Sequence, residues 1–537
     1  MPQTILITTA LSADGLATLR AAPDAEVRVI APNADDFDAA LATSTALVVG
    51  DDLQVDEGLL ARAPDVRVVA RAGASLVNID LDAATRRGII VMNTPGVDAV
   101  TVAEYVFALM LALVRGVVGA HADLLDGRHN PAQYIGRQLA GKTLGIVGLG
   151  RVGMEVAMRA IAFGLDVIAA DPYVGEQHLT GMRVKLVGLG ELLGRADIIT
   201  LHSSLVPETE GFICAQTLAQ MKPGVYLINA KHAEFIHVED TRAALESGHL
   251  AGLALDDFAP EGLAAHPLIG HPRVIHTQRM RSNTAEAQHD LSSLLAPQIL
   301  DALRGHDYRN TVNLPFMPGQ EYEKIAPQMR LGQHIGALLH HLGRRAPVEK
   351  VEVNLSGEEM RGLMKPFTVA ILVGLLRPAL GEALNFINAP VIAAERGIAV
   401  SQSKALSLDA YPNLVGCRVH WADGGSLLVN GALFNQTEPR IVQIDQYRTD
   451  FAPQGVLLIM GSYDVPGVIG TVGTFMADQG INIAAWRTSR AEKGGQTLTA
   501  ISIDTPLGAD GLAALRAHDF VRHATQIVFD DKPSEDE

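Results

Sequence analysis

The sequence contains little cysteine. Only Cys214 and Cys417 occur among its 537 residues, and neither lies in a C-x-x-C pair or near histidines at metal-ligand spacing. This scarcity argues against a disulfide framework and against a zinc site, so we predict no metal-binding residues. It is typical of proteins from a reducing compartment, and we therefore expect a cytoplasmic location.

Long hydrophobic runs and an excess of positive charge are also lacking. The longest charge-free apolar runs, residues 105–114 and 367–376, are too short to cross a bilayer. The N-terminus has no basic segment before its apolar stretch and is typical of a first β-strand. The formal net charge of -17 disfavours a partner that needs a basic surface. We expect neither a membrane nor a nucleic acid as partner.

Strands and helices alternate along the first part of the chain, a pattern typical of parallel α/β layers. Five apolar strands are predicted within residues 1–97, a long apolar helix at 102–116, and a second series of strands from residue 142. Residues 313–453 mix strands and helices without a phosphate loop, and residues 454–530 follow the order βαββαβ. The predicted fold class is therefore α/β, with two Rossmann-like parallel-sheet domains followed by an α+β domain and a small βαββαβ domain.

Three glycines form the pattern G-x-G-x-x-G between a predicted strand and a predicted helix. Gly148 permits a tight turn, Gly150 lets a pyrophosphate approach the backbone, and Gly153 lets the helix pack on the strand. The helix N-terminus that follows faces the phosphates. The strand before and the helix after favour a dinucleotide site over a glycine turn that serves packing alone.

Asp171 lies about twenty residues beyond the glycines, at the end of the second strand of this series. A carboxylate there accepts hydrogen bonds from ribose hydroxyls and repels a 2′-phosphate, so NAD is predicted rather than NADP. The cofactor-binding residues that we predict, the last two by the resemblance described next, are Gly148, Gly150, Arg151, Val152, Gly153, Asp171, Ala230 and Asp256.

Nearly the whole chain resembles the long bacterial form of the phosphoglycerate dehydrogenase family, a group of D-2-hydroxyacid dehydrogenases. The segments that carry the resemblance are 67–96, 141–153, 202–213, 252–261, 283–288, 386–398, 439–445 and 463–485. The resemblance implies hydride transfer from 3-phosphoglycerate to NAD, giving 3-phosphohydroxypyruvate for L-serine synthesis. It also implies a homo-oligomer and these domains: substrate (1–97 with 284–312), NAD-binding (98–283), intervening (313–453) and ACT (454–530).

The resemblance also assigns residues to two small-molecule sites. The substrate-binding residues that it implies are Arg71, Ala74, Ser75 and Asn78. In the ACT domain, the positions that bind an L-serine effector hold Ser462, Asp464 and Asn482. A turn residue and a strand-end cap are the alternative interpretation of the effector positions.

The catalytic segments depart from the family pattern. The family's arginine, glutamate and histidine positions hold His232, Glu261 and Arg279, so the first and last residue types are exchanged. A guanidinium stays protonated and cannot act as a base, and beside Glu261 we expect it to form an ion pair. His232 can titrate near neutral pH.

Further departures concern charge near the expected pocket. Lys231 stands in the family's N-A-(A/S)-R-G segment at the Ala/Ser position, and Arg281 stands in the T-P-H-x-G segment at the glycine. Residues 50–52 read Gly-Asp-Asp where the family has a phosphate-binding arginine. Arg71, by contrast, matches a family phosphate contact.

Three functions follow from these observations. The first is an NAD-dependent phosphoglycerate dehydrogenase with impaired or redirected activity. The second is a dehydrogenase of another 2-hydroxy acid, which residues 50–52 favour. The third is a non-catalytic homologue that binds NAD and an amino acid and acts as a sensor or partner subunit, with an intact dinucleotide motif beside an inactive His232, Glu261 and Arg279.

Overall fold

The computed structural model describes residues 3–256, 266–314, 322–357, 360, 362–405 and 411–529. The chain divides into two compact units. The larger unit contains Met1–Ala10, Ala17–Asn93 and Leu295–Glu537, and the smaller unit contains Leu11–Leu16 and Thr94–Leu294. The finer division into four domains stays a prediction.

A five-stranded parallel sheet begins the larger unit, with strand order β2-β1-β3-β4-β5. Its strands are β1 (Gln3–Ile7), β2 (Ala25–Val29), β3 (Ala46–Val49), β4 (Val68–Arg71) and β5 (Ile90–Met92). The helices that alternate with them in the chain are α1 (Ala13–Ala21), α2 (Phe37–Ala42), α3 (Glu57–Ala61) and α4 (Leu81–Arg86). Strands β3 and β4 are buried over their whole length, as expected for central strands covered on both faces. All five strands were predicted from the sequence.

A seven-stranded parallel sheet forms the centre of the smaller unit, with strand order β12-β11-β10-β9-β6-β7-β8. Its strands are β6 (Thr143–Val147), β7 (Asp166–Ala170), β8 (Val184–Leu186), β9 (Ile198–Leu201), β10 (Val225–Asn229), β11 (Leu250–Leu255) and β12 (Val274–His276). The strand order reverses between β6 and β9, where doubly wound sheets bind ligands at the carboxyl ends of their strands. The sequence predicted every strand except β8, which has only three residues and lies at the sheet edge.

The helices that belong to this part of the chain are α5 (Ala99–Arg115), α6 (Val117–Leu125), α7 (Arg151–Ala162), α8 (Leu189–Arg195), α9 (Ala215–Leu218), α10 (Val238–Glu246) and α11 (Ala285–Arg304). Short 3-10 helices span Pro131–Tyr134, Glu176–Leu179 and Ala233–Phe235. Helix α5, the predicted apolar helix, buries eight side chains, and seven of them belong to a cluster that also contains residues of α7 and β6. It ends at Gly116, whose φ of 64° suits glycine at a helix C-terminus.

No single helix in the described part of the chain is long and apolar enough to cross a membrane. The consecutive helices α5 and α6 pass the length and composition test only as a pair, and they are bent by 64° at their junction.

The rest of the larger unit contains two further sheets. A mixed six-stranded sheet is formed by β13 (Val348–Ser356), β14 (Ala399–Ala405), β15 (Leu414–Trp421), β16 (Ser426–Phe434), β17 (Glu438–Ile444) and β18 (Tyr447–Phe451). Its helices are α12 (Tyr322–Leu342), α13 (Met364–Leu380) and α14 (Ala389–Glu395). Only β13 and β14 pair in parallel.

The last sheet is antiparallel and has the order β20-β21-β19-β22. Its elements are β19 (Gly455–Tyr463), α15 (Val468–Asp478), β20 (Ile483–Arg490), β21 (Gln496–Ile503), α16 (Ala509–Arg516) and β22 (Val521–Phe529). This is the predicted βαββαβ order with ferredoxin-like pairing. Residues of this sheet share one hydrophobic cluster with α12, α13 and the six-stranded sheet.

Candidate functional site

The glycine-rich loop follows β6 at the point where the strand order reverses. Gly148 has φ 91°, and a Cβ on it would overlap the backbone nitrogen of Ser203, which follows β9. A Cβ on Gly153 would overlap the carbonyl oxygen of Gly148, whereas one on Gly150 would meet no atom within 4 Å. The first and third glycines are therefore required for close approach of the backbone, and the second leaves open space beside the start of α7.

Asp171 directly follows β7 and ties the loop to that strand. One of its carboxylate oxygens accepts a hydrogen bond from the Leu149 backbone N–H at 2.8 Å, and the other accepts one from Tyr173 N–H at 2.8 Å. The carboxylate is half-buried, so each oxygen keeps a lone pair for a hydroxyl donor. Helix α7 begins at Arg151 and Val152, whose backbone N–H groups lack helical acceptors and suit an anion. These residues fit a dinucleotide.

Asp256 follows β11 and is the centre of a buried polar network. Its side chain is fully buried and accepts four hydrogen bonds, which come from Tyr105 Oη (3.1 Å), Thr277 Oγ1 (2.6 Å), Met280 N (3.0 Å) and Arg281 N (3.0 Å). Oδ1 accepts three of these bonds and Oδ2 accepts one. Asp256 therefore fixes the turn at residues 277–281, and its predicted contact with the cofactor stays a prediction.

The exchanged residues lie on two turns of the smaller unit. His232 precedes the 3-10 helix at Ala233–Phe235; its ring makes an edge contact with Phe235, at a centroid distance of 5.4 Å. The backbone around it is held by Asn229, whose side chain accepts from His232 N–H (3.3 Å) and donates to its carbonyl (2.6 Å). Arg279 is exposed and has φ 53°, a left-handed conformation that is uncommon outside glycine. Its backbone N–H donates to the Asp256 carbonyl at 3.1 Å.

Glu261 lies outside the described residues. The expected ion pair between Glu261 and Arg279 therefore stays a prediction. His276 is the last residue of β12 and pairs with Leu255.

A second polar cluster lies beside His232. Lys231 is half-buried, and its Nζ donates to the His202 carbonyl at 2.8 Å. Burial lowers the pKa of Lys231 to about 8, with a further lowering by the charge of Arg281 and an opposing effect of Asp98. Burial, and then the charge of Lys231, lower the pKa of His202 to about 3, so this imidazole is neutral. Its Nε2 lies 2.9 Å from Thr200 Oγ1.

The predicted substrate residues lie in the larger unit, around the end of β4. Arg71 is 3% exposed and forms an ion pair with Asp51, and it also donates to the Ala72 carbonyl. Asn78 is buried and donates to the carbonyls of Gly50 (2.8 Å) and Leu53 (2.7 Å).

The two other predicted substrate residues are on the same loop. Asn93 Nδ2 donates to the Ala74 carbonyl at 2.8 Å, and Ser75 is half-buried. Asn78 and Arg71 thus both contact residues 50–53, the segment that departs from the family pattern.

The predicted effector residues each have partners within the four-stranded sheet. Ser462 is buried, and its hydroxyl lies 2.7 Å from that of Thr497. Asp464 accepts from Arg490 Nη1 (3.0 Å) and Gly494 N (2.9 Å), and these bonds, that of Gly494 foremost, lower its pKa. Asn482 donates to Asp504 at 2.9 Å. The three side chains do not hydrogen-bond to one another.

Sequence reasoning assigned no role to Tyr105, His202 or Asp98. Tyr105 lies in the apolar helix α5. A tyrosine hydroxyl within such a helix indicates a buried hydrogen-bond partner, and this could have been predicted from the sequence. Burial, opposed by the Thr277 hydrogen bond and aided by Asp256, raises its pKa to about 12. His202 and Asp98 carry no comparable signal, because Lys231 is 29 positions from His202 and Ser282, which donates to Asp98, is 184 positions from it.

Family models match two parts of the chain. Residues 107–280 match the NAD binding domain of D-isomer specific 2-hydroxyacid dehydrogenases, and residues 324–445 match the intervening domain of D-3-phosphoglycerate dehydrogenase. The chain is 35% identical over 503 residues to D-3-phosphoglycerate dehydrogenase of Bacillus subtilis, covering 94% of this chain and 95% of that protein. It is 35% identical over 501 residues to the enzyme of that name in Methanocaldococcus jannaschii, covering 93% and 95%.

Solved structures resemble part of the chain. D-lactate dehydrogenase from Aquifex aeolicus, complexed with NAD and lactic acid, is 25% identical with a TM-score of 0.51, over 56% of this chain and 96% of that one. NAD-dependent formate dehydrogenase from Staphylococcus aureus, in complex with NAD, is 26% identical with a TM-score of 0.51, over 58% and 98%.

Proposed function

The chain belongs to the D-3-phosphoglycerate dehydrogenase family, within the D-isomer specific 2-hydroxyacid dehydrogenases, and on this premise we propose that it interconverts a 2-hydroxy acid and a 2-keto acid with NAD. The observation that carries the proposal is the glycine-rich loop, in which Gly148 and Gly153 are required by geometry and Asp171 stands beside the loop. Because its relatives are named D-3-phosphoglycerate dehydrogenases, 3-phosphoglycerate and 3-phosphohydroxypyruvate are the first candidate substrates.

NAD supplies a hydride acceptor when bound. The residues that would hold it are Gly148 and Gly150, the N-terminus of α7 and the Asp171 carboxylate, which accepts from ribose hydroxyls. We propose that His232 exchanges the proton with the reacting oxygen, because an imidazole can hold or release a proton near neutral pH. Arg279 contributes positive charge only, since its guanidinium does not release its proton.

A second candidate function is dehydrogenation of an unphosphorylated 2-hydroxy acid. The ion pair of Arg71 with Asp51 favours it, because the arginine expected to bind phosphate is already neutralised by a carboxylate of the chain. A phosphate at Arg71 competes with that carboxylate for the guanidinium charge.

Self-association is a further part of the proposal. Helix α6 buries no side chain, and Val117, Val118, Leu124 and Leu125 are each at least 52% exposed. Four large apolar side chains on one exposed helix are typical of an interface, so we propose that α6 contributes to a homo-oligomer. L-serine stays the proposed effector. It would have to compete for Ser462, Asp464 and Asn482 with the hydrogen-bond partners that these residues have within the chain. The cytoplasmic location stays a prediction from the sequence.

The experiment that tests the proposal is NADH consumption by the purified chain with 3-phosphohydroxypyruvate, hydroxypyruvate and pyruvate. The matched variant is His232→Arg with Arg279→His, which restores the family residue types. We expect turnover of at least one 2-keto acid by the unmodified chain. If NADH binds, as measured by its fluorescence, and the chain turns over none of the three while the double variant does, the non-catalytic hypothesis replaces the proposal.

A further inference from the structure

Lys231 and Arg281 are two cations of the smaller unit that the dinucleotide loop does not use. Burial foremost, and then the positive charge of Arg281, lower the pKa of Lys231 to about 8. Two like charges repel each other, and an anion near both relieves that repulsion. Asp98 opposes this repulsion only in part.

The guanidinium of Arg281 has donor capacity that the described residues leave unused. Its Nη1 is shielded from solvent and has no hydrogen-bond partner in the described ranges. Buried side-chain polar atoms are almost always hydrogen-bonded, and a charged donor loses more than a neutral one when its acceptor is missing. The backbone of Arg281 is held in place by Asp256, so the side chain starts from a fixed point.

Lys231 also has spare donors in a fixed position. Its ammonium group has three N–H bonds, and the hydrogen bond to the His202 carbonyl uses one of them. His202 and Ser203 form the turn against which Gly148 packs, since a Cβ on Gly148 would overlap both residues. The ammonium group is therefore attached to the same turn that supports the dinucleotide loop.

We propose that Lys231 and Arg281 form an anion subsite that binds the carboxylate of the 2-keto or 2-hydroxy acid. This inference rests on the proposed function and adds residues to it. The two remaining ammonium donors and the Nη1 donors suit the two coplanar oxygens of a carboxylate, whereas the oxygens of a phosphate are arranged as a tetrahedron. In the family segments that this chain resembles, both positions hold small residues, so the subsite compensates for the arginine that is replaced by His232.

The test is calorimetric titration of the intact chain with oxalate, a planar carboxylate probe, in the presence of NADH. We expect Lys231→Met and Arg281→Met each to weaken oxalate binding about 10- to 100-fold, because each removes a charged hydrogen-bond donor. Lys185→Met, at an exposed lysine on the edge strand β8, is the matched control and should leave the affinity unchanged. Affinities of Lys231→Met and Arg281→Met that equal that of the control overturn the subsite.

The pH dependence provides a second readout. Lys231 loses its proton as pH rises through about 8, so oxalate affinity of the unmodified chain should fall over that range. The other groups that act on it are Arg281, Asp98 and the neutral His202, and none of these types titrates there. Lys231→Arg should bind oxalate with no loss up to pH about 9, because guanidinium stays protonated. An unmodified chain whose affinity does not change through this range contradicts the assignment.

Two further titrations separate this inference from the proposed function. NADH titration by fluorescence should give the same affinity, within about threefold, for Lys231→Met, Arg281→Met and the unmodified chain. Failure of the unmodified chain to bind NADH would refute the proposed function and the subsite with it, whereas NADH binding without an effect of the two substitutions on oxalate refutes the subsite alone. Inorganic phosphate should bind more weakly than oxalate, and tighter binding of phosphate contradicts the carboxylate assignment.

Discussion

Two loops at the carboxyl edge of the seven-stranded sheet are each held by an aspartate. The two aspartates differ in burial and in the number of hydrogen bonds that they accept. At the glycine-rich loop, Asp171 is half-buried and accepts two backbone hydrogen bonds. At the turn of residues 277–281, Asp256 is fully buried and accepts four. The first carboxylate is partly open to a ligand, whereas the second is enclosed and has twice as many hydrogen bonds within the chain.

The loops also differ in how they obtain a positive φ. Gly148 has φ 91° at little steric cost, whereas Arg279 has φ 53° with a full side chain. The hydrogen bonds that Asp256 makes to the neighbouring backbone offset that cost. The glycine-rich loop thus depends on glycines within its own segment, whereas the turn of residues 277–281 depends on a carboxylate more than twenty positions away along the chain.

The largest effect is expected from Asp256→Ala. It leaves the Thr277 hydroxyl and two backbone N–H groups without their acceptor in a buried place, while the Tyr105 hydroxyl keeps Thr277 Oγ1 at 2.7 Å. The free energy of unfolding should fall by about 3–5 kcal/mol. Asp171→Ala removes two bonds in a half-exposed place and should cost about 1 kcal/mol, while weakening NADH binding. Differential scanning calorimetry and NADH fluorescence measure the two effects.

Tyr105→Phe is the control for this comparison, because it removes one donor and keeps the carboxylate. It should lower the free energy of unfolding by about 1 kcal/mol. Equal destabilisation by Asp256→Ala and Asp171→Ala would contradict the difference between the two aspartates.

The second-largest loss of stability is expected from substitution of Gly148 in the glycine-rich loop. Gly148→Ala places a Cβ against the backbone of Ser203 at a positive φ, and should lower the free energy of unfolding by about 2–4 kcal/mol. NADH binding should be lost with it. Thermal melting and NADH fluorescence test both expectations.

Gly150→Ala is the matched substitution, since its Cβ would meet no atom within 4 Å and its φ is -71°. Its melting temperature should stay close to that of the unmodified chain, and its NADH affinity should fall because the cofactor approaches there. A Gly150→Ala variant that melts as early as Gly148→Ala would show that open space at position 150 is not what distinguishes the two.

The smallest expected effect is an increase in stability on substitution of Arg279. Arg279→Gly should raise the free energy of unfolding by up to about 1 kcal/mol, because glycine adopts the left-handed conformation without the steric cost of a Cβ. Arg279→Ala keeps the Cβ and should show no such gain. Chemical denaturation of both variants measures the difference, and equal stabilities would mean that the turn at position 279 is not strained.

The sequence predicted most of the fold because apolar runs and glycine turns report local structure. Eleven of the twelve strands in the two parallel sheets were predicted from apolar segments and confirmed, and the exception is the three-residue edge strand β8. Where strand bounds moved, they moved by one to three residues, as between the predicted start at Ala524 and the observed start of β22 at Val521.

The candidate site was less predictable. Gly148, Gly153 and Asp171 lie in one local pattern, so their arrangement follows from spacing. The hydrogen bonds of Asp256 to Tyr105 and Thr277 join residues that are 151 and 21 positions away along the chain, and no local pattern reports such contacts. The same holds for Lys231 and the His202 carbonyl, which are 29 positions apart. The roles of His232 and Arg279 stay predictions.

The ion pair of Arg71 and Asp51 changes the kind of equilibrium by which an anion reaches that arginine. An anion that binds a free arginine adds a charge contact, and added salt weakens it by screening. At Arg71 the incoming anion competes with the Asp51 carboxylate, so the ion pair with Asp51 is weakened as the contact with the anion forms. Such an exchange neutralises little additional charge. The anion affinity of Arg71 should therefore depend on ionic strength far less than the anion affinity of a free arginine.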